Sequence, residues 1–220
     1  MQTMSRGRTR AALTCVVAVG LLAPLSGGQL ASRPPAEWIK LLDSPERVAG
    51  LHIDQVIAKL QLKPGTVVAD LGAGSGSFSL PFAEAVGPTG KVYAVEVDQM
   101  MLEHIRGKAA GQRVTNIETV LGKFADPALP AADVDVAFLH DVLHHIADRA
   151  GYLKQAPRYL KPGGRIAIIE FHPHASPHRD QPGLLVSKEQ AQALMNDVGF
   201  VPAEEYPLFD DKWFVIYARK

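Results

Sequence analysis

The chain has one cysteine, Cys15, so no intrachain disulfide can form. It has no surplus of charge either: Lys plus Arg and Asp plus Glu number 23 each, which removes the global basic field that draws a protein to nucleic acid. The apolar run from Ala11 to Leu25 is about 15 residues, short of the ~20 that a stable membrane-spanning helix needs. Internal repeats, low-complexity tracts and heptad series are missing, which excludes solenoids and coiled coils. What is present, 220 residues with 47% hydrophobic and 21% charged, suits one α/β domain with a large core.

The amino terminus reads apart from that domain. Arg6, Arg8 and Arg10 precede the apolar run, and the small residues Ser26, Gly27 and Gly28 follow it, which is the layout of a secretory signal peptide. The expected division is residues 1–28 as signal peptide or uncleaved anchor, 29–50 as a helical cap or linker, and 51–220 as the globular domain. Cleavage after Gly28 or Ala31 would make the protein periplasmic or secreted, with no thiol left; without cleavage it is membrane-anchored through this segment alone.

The most informative stretch is Val67-Val-Ala-Asp-Leu-Gly-Ala-Gly-Ser-Gly76. An apolar, β-branched run covered on both faces ends in an acid and breaks into three alternating glycines. A bare strand-to-helix connection needs one glycine; three let the backbone come close to a ligand. A dinucleotide fingerprint needs Gly or Ala at position 77, where Ser77 stands, and no Gly-Lys-Ser/Thr follows as in a P-loop. About 20 residues on, Lys91-Val-Tyr-Ala-Val-Glu96 reads as a second strand that delivers Glu96, a carboxylate able to accept from both hydroxyls of a ribose diol.

Periodicity places strands at about 67–71, 92–96, 117–121, 134–139 and 165–170, alternating with helices at about 77–86, 99–110, 149–160 and 187–198. That alternation predicts a parallel sheet with helices on both faces. Two short helices precede it, the second opened by Ser44-Pro45, and a helix over 54–60 leads into the first strand. Ser187-Lys-Glu-Gln190 matches a capping box, and residues 200–206 and 212–218 read as a closing pair of strands.

The order of these pieces resembles the class I S-adenosylmethionine-dependent methyltransferases, from about Leu51 to Lys220. The resemblance rests on the acid before Gly-x-Gly-x-Gly, the acid closing the second strand, Gly122-Lys-Phe-Ala-Asp126 after the third, His140-Asp-Val-Leu-His-His145 after the fourth, and Leu160-Lys-Pro-Gly-Gly-Arg165 leading into the fifth. It implies a doubly wound seven-stranded sheet of order 3-2-1-4-5-7-6 with strand 7 antiparallel, and S-adenosylmethionine as cofactor. It implies further that Asp70 with Gly72, Ala73, Gly74, Ser75 and Gly76 holds the methionine part, and that Glu96, with Val97 beside it, holds the ribose hydroxyls. The family's Gly-Asp-Ala after the third strand is here Gly122-Lys123-Phe124. The adenine contact is therefore open between the backbone of Lys123 and Phe124, with the Phe124 ring packed on the base, and Asp126 reaching back. His140 and Asp141 complete the expected cofactor contacts.

Six of eight histidines fall after the fourth and fifth strands, the edge where open α/β sheets bind ligands. His144 or His145 is the candidate general base for an acceptor that starts protonated. No metal is assigned; an alternative would use Asp141, Glu170, His172 and His140 as ligands. His178-Arg179-Asp180 is expected in a mobile loop bounded by Pro173, Pro177 and Pro182. The reaction implied is in-line methyl transfer to a small or lipid-like acceptor. A non-catalytic exported nucleoside-binding module is the competing reading, motivated by the cytosolic origin of the cofactor. An NAD(P)-dependent oxidoreductase is disfavoured by Ser77.

Overall fold

The computed structural model of the chain describes residues 34–220. The predicted signal segment with Cys15, and the first residues of the predicted cap, lie outside the described residues. Among those described, no helix is long and apolar enough to cross a membrane.

The elements run α1 (Pro35–Leu42), α2 (Pro45–Ala49), α3 (Ile53–Leu60), β1 (Val67–Leu71), α4 (Ser79–Val86), β2 (Lys91–Glu96), α5 (Gln99–Gly111), β3 (Ile117–Leu121), β4 (Val134–His140), α6 (Arg149–Gln155), β5 (Leu160–Phe171), α7 (Lys188–Asp197), β6 (Phe200–Tyr206) and β7 (Lys212–Arg219). The seven strands form one sheet of order β3-β2-β1-β4-β5-β7-β6. Its first five strands are mutually parallel, and β7 runs antiparallel to both β5 and β6. This is the expected topology.

Burial on both faces explains why the strands read as continuous apolar runs. One face packs Ala69, Leu71, Ala137, Leu139, Ile166, Ile168, Val215 and Tyr217 against Leu153 of α6 and Ala191 and Met195 of α7. The opposite face packs Val68, Val92, Phe138, Ile169, Phe214 and Ile216 against Val56 and Leu60 of α3 and Phe82 and Val86 of α4. Ala94 meets Leu102 and Ile105 of α5 on that same side. The start of β1 is pinned to its neighbour by the Asp135 carboxylate, which accepts the Val67 N–H at 2.8 Å and the Lys161 ammonium at 2.8 and 2.9 Å.

Helix ends follow local chemistry. Ser44 caps α2 ahead of Pro45, and Asp98 caps α5 by accepting from the Met100 and Met101 amides. Ser187 and Gln190 exchange both bonds of a capping box at α7.

Three boundaries differ from expectation. The helix predicted over 149–160 ends at Gln155 and tightens into a 3-10 turn over Ala156–Tyr159, because Pro157 cannot donate to the helical ladder. The fifth strand starts at Leu160 rather than 165: Leu160 pairs with Val134, and pairing resumes at Val136 with Arg165 after an irregularity. The helix predicted from 77 becomes regular only at Ser79, since Gly76 closes a turn onto the Ala73 carbonyl at 2.9 Å.

Removing the Ser187 hydroxyl leaves the first turn of α7 with an unsatisfied amide. Ser187→Ala is expected to cost about 1 kcal/mol and lower Tm by about 2–4 °C. An unchanged calorimetric Tm would show that the capping box contributes nothing to the domain.

Candidate functional site

The chain steps from β1 to β2 to β3 on one side and returns to β4 on the other, so a crevice opens at the carboxyl ends of β1 and β4. The glycine turn floors it. Gly72, Gly74 and Gly76 all have positive φ, at 82°, 55° and 80°. Gly72 has both reasons to be glycine: its positive φ, and a Cβ that would lie 2.4 Å from Cγ2 of Val142. The amides of Gly72 and Ala73 both donate to the Val95 carbonyl, at 2.8 and 2.9 Å, which binds the turn to the end of β2.

The cleft walls hold Asp70, Gly72, Ala73, Gly74, Ser75, Glu96, Val97, Lys123, Phe124, His140, Asp141 and His145 of the predicted site. Gly76 is not on the wall; it lies under the turn, where a Cβ would meet Ile105 and Leu80 at 3.0 and 3.1 Å. Asp126 is also elsewhere. Its carboxylate accepts the Ala128 amide at 2.8 Å and the Tyr159 hydroxyl at 2.7 Å, which turns it into its own loop. His144 is buried behind the wall.

Each acid at the cleft has a different partner. Glu96 accepts from the amides of Gly74, Val97 and Asp98 at 3.0, 2.7 and 3.4 Å, and these donors oppose the rise that burial imposes on its pKa. Among the described residues Asp70 has only the Ser79 hydroxyl, at 2.5 Å. Burial pushes its carboxyl up to about 7; the Ser79 bond works against that rise, and the Glu96 charge adds to it. Asp141 sits at φ 54° and accepts the buried Lys212 ammonium on Oδ2 at 2.7 Å, with Arg47 3.8 Å from the same oxygen. Its Oδ1 is buried and has no hydrogen-bond partner among the described residues.

The histidines divide. Burial, with the Lys212 and Arg47 charges, pushes His140 well below its ordinary value, so its neutral Nε2 accepts from Lys212 at 3.2 Å. The 3.6 Å approach of His140 to Asp141 is therefore not an ion pair. His144 stands in a 3-10 turn, Leu143–His145, and its Nδ1 is 2.9 and 2.8 Å from the two oxygens of Glu170. Burial holds His145 down to about 3, helped by His144 and His178, which makes it a weak base at neutral pH.

The four residues of the metal alternative do not come together. Asp141 is held by Lys212, Glu170 by His144, and the His172 ring stacks on His174 with centroids 5.5 Å apart. The segment carrying His178 is a series of hydrogen-bonded turns: His172 O accepts from Ala175 and Ser176, and His178 O from Gln181.

Trp38 and Leu42 of the expected cap reach the cleft wall from α1. Two residues were not expected there: Arg47, which reaches the wall from α2, and Lys212, which supports Asp141 from the start of β7. A lysine opening an otherwise apolar strand is the one signal that pointed to Lys212. The α1–α2 cap is fastened by Asp43, which lies 2.7 Å from the His104 ring and 3.0 Å from the Lys108 ammonium, while Lys108 also donates to the Ser75 carbonyl at 3.1 Å. Burial works against ionisation of Asp43, but the bonds from Ser75, Lys108 and His104 outweigh it and hold its pKa below the usual value.

Comparison with known proteins gives this geometry a context. The methyltransferase-domain family matches residues 62–207. The chain is 32% identical over 151 residues to an uncharacterized 37.1 kDa transposon protein of Streptomyces fradiae, covering 68% of this chain and 43% of that protein. It is 34% identical over 118 residues to a ubiquinone/menaquinone biosynthesis C-methyltransferase of Francisella philomiragia, covering 53% of this chain and 47% of that enzyme. The match thus spans about half the length of these curated relatives. A SAM dependent methyltransferase from Aquifex aeolicus has the same fold, with a TM-score of 0.77 at 24% identity over 86% of this chain and 100% of that one.

Asp70 has a consequence for stability. Its folded pKa, about 7, stands above its ordinary 3.8, so between those values the folded chain keeps a proton that the unfolded chain releases. The contribution of Asp70 to stability is therefore greatest below about pH 4 and declines as pH rises through 7. Urea unfolding from pH 5 to 8 is expected to show a shallower decline in Asp70→Asn than in the parent; identical profiles would mean that Asp70 is ionised throughout.

Proposed function

Because the chain belongs to the methyltransferase-domain family, we propose that it transfers a methyl group from S-adenosylmethionine to a small or lipid-like acceptor. The observation that carries this reading is the pairing of the glycine cradle with buried carboxylates that the described residues leave incompletely answered: Asp70 without a cation, and Asp141 with a bare Oδ1. A ligand bearing an ammonium and a sulfonium supplies the missing positive charge.

Within this reading the glycine turn and Asp70 take the methionine part, and Asp141 Oδ1 accepts from its ammonium. Glu96 keeps an acceptor site on Oε2 for a ribose hydroxyl beyond those used by its backbone donors. The adenine falls to the backbone of Gly122 to Phe124 and the Phe124 ring, which is 61% exposed at the cleft mouth, and not to Asp126. Bound S-adenosylmethionine supplies an electrophilic methyl group on a charged sulfur. The protein then has to align an acceptor in line with the carbon–sulfur bond and exclude water.

Apolar walls at Trp38, Leu42, Leu51 and Ile146 favour an acceptor with an apolar body. The quinone-pathway names of the relatives agree with that choice. Export through the arginine-led amino-terminal segment belongs to the same proposal, and cell fractionation tests it.

Calorimetry should show S-adenosylmethionine binding that is lost in Asp70→Ala and Glu96→Ala while both variants keep the parent's circular dichroism. Unchanged affinity in either variant would overturn the assignment. Binding a cation drives the proton off Asp70, so affinity should weaken by about tenfold per pH unit below 7 and level off above it. Asp70→Asn should bind weakly without that slope. Release of S-adenosylhomocysteine from labelled cofactor and a cell extract distinguishes an enzyme from a binding module, which would bind and not turn over.

A further inference from the structure

We propose that His144, His145 and His178 form a binding site for a divalent transition-metal ion of the zinc type, beside the cofactor cleft. One ring nitrogen from each lies within 4.8 Å of the other two. The ring centroids are 4.0 Å apart for His144 and His145, 5.2 Å for His144 and His178, and 5.7 Å for His145 and His178. Tetrahedral zinc with nitrogen ligands at ~2.1 Å needs them about 3.4 Å apart, a contraction that small ring rotations deliver.

The support behind the triad is what distinguishes it from three histidines that merely share a surface. Glu170 is almost fully buried and receives the His144 amide at 3.2 Å and the Phe171 amide at 2.9 Å, so its carboxylate is fixed. It then takes Nδ1–H of His144, which leaves Nε2 as the free lone pair. A carboxylate behind a histidine in this way sets the tautomer and ring orientation of a metal ligand.

Arg149 fixes the second requirement, the distance between loops. Its guanidinium donates to the carbonyls of Leu143 and His144 at 3.0 and 3.1 Å, and to Gly183 at 2.7 Å, so the turn after β4 and the segment after β5 are tied together. His178 is further held by its amide on the Ser176 hydroxyl at 3.0 Å. Among the described residues no hydrogen bond engages the ring nitrogens of His145 or His178. Three nitrogen ligands leave one tetrahedral position for water or an incoming atom.

His145 also forms part of the cleft wall. That neighbourhood suits an acceptor that reacts through an oxygen or sulfur able to bind the ion as its anion. This last consequence rests on the methyl-transfer reading; the metal site does not.

The test uses the untagged full chain, stripped with a chelator, equilibrated with zinc chloride and dialysed, with no methyl donor or acceptor present. Its outcome therefore stands whether or not methyl transfer is ever observed. Elemental analysis should give one zinc per chain, and cobalt(II) in its place should give the visible absorption of a tetrahedral site. His178→Ala should lower zinc affinity at least tenfold, and Glu170→Gln by about 10–100-fold. His174→Ala, on the stacked pair outside the triad, should bind as the parent does. His178→Gln serves as the second variant, with thermal melting to establish that each is folded. Substoichiometric zinc in the parent, an octahedral cobalt spectrum, or parental affinity in a folded His178 variant would overturn the proposal.

Discussion

The close approach of Gly72 to Val142 is the constraint on which the cleft depends. The turn after β1 takes a left-handed backbone at Gly72, gives two amides to Val95 of β2, and receives the Val142 side chain where a Cβ would stand at 2.4 Å. Three strand ends are thereby held in contact. Asp70 lies two residues before Gly72 on β1, and Asp141 immediately precedes Val142 after β4. A side chain at position 72 would meet Val142 from Cβ outward and strain a backbone at φ 82°, so something at this junction would have to shift, and the junction joins segments whose acids are 71 residues apart in sequence.

Burying several carboxylates around one crevice is costly unless each is answered, and the answers here are unequal. Glu96 is satisfied by main-chain amides, which cannot be withdrawn without unfolding the turn. Asp141 is half-satisfied by Lys212, itself lodged against the Phe171 ring at 4.3 Å. Among the described residues Asp70 has a single hydroxyl, and burial pushes its carboxyl up to about 7. The order is informative. Asp70 and Asp141 are less compensated than Glu96 among the described residues, which is how a site looks when a cationic ligand supplies the balance.

Much of this was legible in the sequence, for identifiable reasons. The inner strands β1, β2 and β4 declare themselves because both their faces are buried and nearly every residue must be apolar. The three glycines declare the turn because all three take positive φ, Gly72 against Val142 as well, and Ser187 with Gln190 declares the start of α7 because a capping box is purely local. The onset of β5 was hidden, since Lys161-Pro-Gly-Gly164 reads as a turn although Leu160 already pairs with Val134. The site beyond the turn was legible only in part. Lys212 and Arg47 act on Asp141 from elements whose proximity follows from the insertion of β7 between β5 and β6 and from the α1–α2 cap. The convergence of His178 on His144 and His145 depends on Arg149 bridging two loops, and neither sequence spacing nor residue type announces such a bridge.

The cap adds a final coupling between ligand and structure. Neither α1 nor α2 contains a fully buried residue, and the cap is fastened chiefly by polar contacts of Asp43 with His104 and Lys108. Its apolar residues Trp38 and Leu42 are half-buried and face the cleft rather than the core. A ligand occupying the cleft removes that surface from water and so supplies the apolar burial that the cap otherwise lacks. Lys108 carries the effect back to the floor, because the ammonium that holds Asp43 also donates to the Ser75 carbonyl inside the glycine turn. The cap and the glycine turn are therefore joined through one side chain, Lys108.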